Sequence, residues 1–165
     1  MLKMRFFAVL MLAVTASSAW AMDHRSQFGV GAGLGANFAA PWTKQEFRDA
    51  VGPKIPAGGL WARYIPGTPE VGLELSYNYL ALSQMGFHAH TAIIEFISRQ
   101  NPWGWFHPLY GFGIGYARTA NKFAPDEAGV WDDPIFKITA GIEFELDDHT
   151  DVGLRIDHYS IFRDT

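Results

Sequence analysis

His158 and Ser160 stand two residues apart, so on an extended strand they share one face. An imidazole beside a hydroxyl is a pairing from which a base and a nucleophile can be made. Counting by twos from Val152, Leu154 and Ile156 puts both on the apolar face of their segment, an odd place for polar groups if that face meets lipid. His88 and His90 have the spacing of an H-x-H metal pair. No third ligand follows at a diagnostic spacing, so no metal site is expected. Asp126, Glu127, Asp132 and Asp133 cluster between residues 118 and 133. They read as a solvated acidic loop, with a bound divalent cation as the alternative.

The segment carrying His158 and Ser160 shares its pattern with most of the chain. Residues 71–79 alternate Val, Leu, Leu, Tyr and Tyr with Gly, Glu, Ser and Asn. Residues 110–116 alternate large apolar groups with glycine, and residues 136–146 oppose an apolar row to Lys, Thr, Gly and two Glu. Residues 28–36 and 152–157 repeat the period of two. Such alternation marks strands with one apolar face. The segments run to about ten residues, the length of a tilted bilayer crossing rather than of a soluble strand. Bulk lies on one face and glycine and charge on the other. Lipid outside and a crowded interior fit that distribution, which a soluble sandwich would invert. Glycine weakens strands, so the glycines of 29–35 ask for an interior with no room for side chains. Neither they nor residues 111–115 complete a G-x-G-x-x-G loop, and no dinucleotide site follows.

Composition narrows the classes further. The 165 residues are 48% hydrophobic and 18% charged, which suits one folded domain and argues against extensive disorder. The absence of cysteine excludes a disulfide scaffold, a thiolate zinc site and a cysteine nucleophile. A net charge of -4 argues against a nucleic-acid partner. Residues 1–21 have the grammar of a secretory leader. Lys3 and Arg5 precede an apolar run from Phe6 to Val14, and Ala19-Trp20-Ala21 offers an A-x-A cleavage site. The expected organisation is a cleaved signal peptide, 1–21, and an outer-membrane barrel domain, 22–165.

Seven strands are expected at 27–38, 58–66, 70–81, 86–98, 106–117, 134–146 and 150–162. Short connections alternate with the long ones at 39–57 and 118–133, as in barrels with tight periplasmic turns and larger external loops. Thr43 and Glu46 form a capping box ahead of Phe47 and Val51, so a short helix is expected in the first long loop. The fourth strand breaks parity, with Glu95 on the face of Ala89 and Ile93, and a bulge would reconcile it. Barrels of this type have an even number of strands, so an eighth is expected after Phe162: either the chain is truncated before it, the favoured reading, or a partner supplies it, or the count of seven is off by one. Arg63, Glu74, Lys137, Glu143, Glu145, Arg155 and Asp157 point inward on this parity. Paired across a narrow lumen, they would plug it. Trp42, Trp61, Tyr64, Tyr79, Trp103, Trp105 and Phe106 fall near strand ends, as in aromatic girdles.

Segments 29–35, 109–116 and 137–144 resemble small outer-membrane barrels of the OmpA-like and opacity-type group. The resemblance spans about residues 27–162. It implies an all-β, transmembrane, antiparallel up-and-down barrel of the eight-stranded type in a Gram-negative outer membrane. It also implies partners among outer-membrane lipid, lipopolysaccharide and the insertion machinery, a structural or adhesive role through loops 39–57 and 118–133, and no cofactor. In that leading reading no residue is catalytic. The His158-Tyr159-Ser160 spacing resembles PagL-type lipid A deacylases, which implies ester hydrolysis with Ser160 as nucleophile and His158 as base. Ile161 replaces that family's usual Asn, and its orienting Glu has no counterpart in the seven strands.

Overall fold

The computed structural model describes residues 5–23, 26–39, 55–66, 71–82, 87–100, 105–121, 130–147 and 150–163. These form eight antiparallel strands: β1 (Arg5–Asp23), β2 (Ser26–Ala39), β3 (Ile55–Ile65), β4 (Val71–Leu82), β5 (Phe87–Arg99), β6 (Phe106–Asn121), β7 (Val130–Asp147) and β8 (Thr150–Arg163). Each pairs with its chain neighbour, and β1 also pairs with β8, which closes the barrel. The seven expected strands are all present. β6 and β7 extend further than the sequence suggests, so Asp132 and Asp133 lie in β7 rather than in a loop. The expected helix near Thr43, together with Asp126, Glu127, Trp42 and Trp103, lies outside the described residues.

Among the described residues the eighth strand is the first one in the chain. Residues 5–23, read above as leader, fill the gap between β2 and β8, with Val14 opposite Leu34 on one side and Leu154 on the other. Both flanking strands would otherwise present an open edge, and each backbone group left unpaired away from water costs several kcal/mol. The count of seven is therefore one short among the described residues, where the sheet closes through residues 5–23.

Side chains sort as the alternation requires. Phe112, Ile138 and Leu154 are 57%, 47% and 50% exposed on the outer face, while Glu74 and Lys137 are 1% exposed inside. The parity break expected in the fourth strand is absent. β5 pairs continuously on both sides, with no bulge. Ala89, Thr91, Ile93, Glu95 and Ile97 all face inward, and His88, His90, Ile94 and Phe96 outward. The sequence looked broken because apolar Ile93 and Ile97 are lumen filler, not lipid contacts. Trp61 is likewise corrected from girdle to interior. Its ring occupies the space where a side chain at Gly31 would project, which is why glycine stands there. At Gly115 a Cβ would collide with the Ala92 carbonyl oxygen of the adjacent strand.

Candidate functional site

The alternation of β3, β4, β5, β7 and β8 delivers charged residues to one buried network. The Arg63 guanidinium forks onto two carboxylates. It donates to Glu74 Oε2 at 2.9 and 3.1 Å, and to both oxygens of Glu143 at 2.9 Å. Arg155 donates to Glu74 Oε1 at 2.9 Å and stacks 5.2 Å from the Trp61 ring. Lys137 Nζ lies 2.8 Å from Glu95 and 3.5 Å from Asp157. Arg99 joins Glu143 at 3.2 Å to Asp151 at 2.8 Å. Thr139 and Tyr159 donate to Asp157 at 2.8 and 3.3 Å. Forked guanidinium–carboxylate geometry is the strong form of such pairing, and it satisfies groups that burial would otherwise penalise.

Six of the seven charges expected inside are buried there, and Glu145 keeps the inward parity but sits exposed at the mouth. It lies 3.4 Å from buried His107. Glu95, Arg99 and Asp151 were missed as network members. The apparent parity break hid the first two. Asp151 was legible, being one residue before outward Val152.

His158 and Ser160 do come together. Nε2 of His158 lies 3.0 Å from Ser160 Oγ. His158 is half-buried on the outer face near the end of β8, but Ser160 is only 4% exposed. Across from the pair stand Ile138 and Phe136 on β7, and Leu10 and Ala8 on β1. No carboxylate occupies these four directly opposite positions. The nearest one in sequence, Asp157, faces the lumen in its bonds to Thr139 and Tyr159.

His88 and His90 also face outward, their rings 5.6 Å apart and edge-on. Tyr77 Oη and His90 Nδ1 share a 2.6 Å hydrogen bond. Among the described residues no group of three His, Cys, Asp or Glu could hold a metal ion. The acidic cluster is also divided, because Asp132 is exposed on the outer face while Asp133 is buried inside. Among the girdle residues, Tyr64, Tyr79 and Trp105 are exposed, and Trp105 stacks on Phe144 at 5.7 Å.

No protein-family model and no curated protein sequence matches the chain. Among solved structures it is similar to Ail, the attachment invasion locus protein of Yersinia pestis, at 13% identity and a TM-score of 0.35, over 94% of this chain and 98% of that one. A second Ail structure, in complex with the heparin analogue sucrose octasulfate, matches at 12% identity and a TM-score of 0.22, over 96% and 97% of the two chains.

Proposed function

We propose that this chain is a small outer-membrane barrel with a structural, adhesive or surface-interaction role, and that its lumen is plugged rather than open. The carrying observation is the inverted distribution of side chains: ion pairs knit together inside a closed sheet, with Leu34, Ile114 and Leu60 among the residues 76%, 69% and 63% exposed outside. Water solvates such an outside poorly and hydrocarbon solvates it well. The leader grammar of residues 1–21 supports export, and the larger connections, 40–54 and 122–129, leave from the same end of the barrel, taken here as the external one. Lipopolysaccharide and surface partners meet the chain there. Reconstituted in planar bilayers, the protein is expected to give no conductance above the bare membrane. A steady ohmic current would show an open path past Arg63 and Arg155.

A second reading, a lipid A deacylase-like esterase, is favoured by one observation, the 3.0 Å bond between His158 and Ser160 on the outer face. In that reading Ser160 attacks an ester carbonyl and His158 takes its proton. The test compares the mass of lipid A from cells expressing the wild type and Ser160→Ala. Loss of an acyl chain only with the wild type would establish the esterase, and identical masses would remove it.

A further inference from the structure

The outer face of β4, β5 and β6 changes character in successive cross-strand rows. Leu75, Ile94 and Ile114 form one row, and Tyr77, Ala92 and Tyr116 form the next. Tyr79, His90 and Arg118 follow, with His88 one position beyond His90 on the same face. Taken row by row, hydrocarbon-like side chains thus give way to a row holding two tyrosines and then to one holding an imidazole and a guanidinium, within four residues, and β6 alone runs through the whole order as Ile114, Tyr116 and Arg118. This is the order met when a surface leaves the acyl region and enters the headgroups.

The last row is built. Arg118 stands directly across from His90, so their Cβ atoms are within about 5.5 Å. The bond shared with Tyr77 holds the His90 ring, and the Tyr79 ring packs against His90 at 5.2 Å and His88 at 6.1 Å. Arg118 is exposed, and among the described residues it makes no ion pair, although every lumen arginine is paired. Its neighbour across β7, Asp132, is exposed too, and confines any anion to the β5 side of Arg118.

We propose that Arg118, with His90 and His88, binds the phosphate of an anionic lipid whose acyl chains lie along Ile94, Ile114 and Phe112. A free phosphate would use the cation but would gain nothing from the apolar rows beside it. A lipid uses both. A guanidinium donates two parallel N–H groups to phosphate oxygens, and the imidazoles add donors from the adjacent strand. The proposal rests on the outer-membrane reading above, and names a lipid contact on the outer wall rather than in the loops.

The test places the 165-residue chain in zwitterionic nanodiscs containing either phosphorylated lipid A or its dephosphorylated form. Native mass spectrometry then counts lipid retained on the ejected barrel. Wild type is expected to retain the phosphorylated form about tenfold more, the difference one charged hydrogen-bond pair makes. Arg118→Gln, and His88→Gln with His90→Gln, should reduce that preference, Arg118→Lys should keep part of it, and Asp132→Asn should raise it. These side chains point away from the lumen, so heat-modifiable migration should confirm that each variant still forms a barrel. Equal retention by wild type and Arg118→Gln in inserted barrels overturns the site and leaves the membrane reading intact. Competition by millimolar inorganic phosphate overturns the lipid as the source. Failure of the wild type to insert overturns both.

Discussion

A chain that begins at Met22 is expected not to close its barrel unaided. Residues 5–18 pair with β8 and residues 9–23 with β2, so their removal exposes two full strand edges at once. In lipid or detergent those backbone groups have no water to turn to, and at several kcal/mol each their sum over two strand edges exceeds the whole stability of an ordinary domain. The expected result is loss of heat-modifiable migration and rapid digestion by trypsin, with recovery when a peptide of residues 5–23 is added during refolding. A compact, protease-resistant monomer of residues 22–165 would show that β1 is dispensable. The Ala19-Trp20-Ala21 pattern invites a cut that would remove this strand, so mass spectrometry of the membrane-inserted protein should find residues 5–23 still attached if β1 closes the barrel.

The second large effect lies in the lumen. Glu74 accepts from both Arg63 and Arg155, and its side chain is fully buried. Glu74→Leu removes the charge these two guanidinium groups share, and leaves Arg155 with Glu95 at 3.7 Å and Asp157 at 4.0 Å. Breaking a buried pair from one side costs about 3–5 kcal/mol, because the stranded charge stays dehydrated. Urea unfolding of the refolded barrel should show a loss of that size. Adding Arg155→Met should recover much of it, since removing both partners leaves no orphan. A loss below about 1 kcal/mol for the single variant would mean that water already reaches these ions, and the plugged lumen would fall with that result.

The parts of the structure that were legible are those with a period of two and two chemically unlike faces. β4 reads directly, because Val71 to Tyr79 alternate with Gly72 to Asn78 and nothing interrupts them. The lumen charges followed from the same parity, as Arg63, Glu74 and Lys137 did. β5 misled because two isoleucines face inward there, and hydropathy alone cannot tell lumen filler from a lipid contact. β1 was illegible as a strand for a related reason. From Phe6 to Val14 both faces are apolar, so the run carries no alternation and matches a leader's hydrophobic core instead. His158 and Ser160 were correctly placed on one face. The burial of Ser160 depends on how its neighbouring strands pack, and spacing holds no trace of that. The row from Tyr79 to Arg118 was invisible for a third reason: it exists only across strands, and register comes from pairing rather than from order along the chain.

The join between β1 and β8 also fixes an order of assembly. Every other strand pair links neighbours in sequence and can form as a hairpin once its own residues are made. The join brings Arg5 to Arg163, the longest loop closure among the described strand pairs, and so it is expected to form last, which pulse-labelled hydrogen exchange during refolding would check. Until then the sheet is an open, curling ribbon, and Arg63, Glu74 and Arg155 remain hydrated along its concave side. Dehydration of the ions and sealing of the wall are then a single event. The kinetic barrier should sit at that step, with few stable species between ribbon and cylinder.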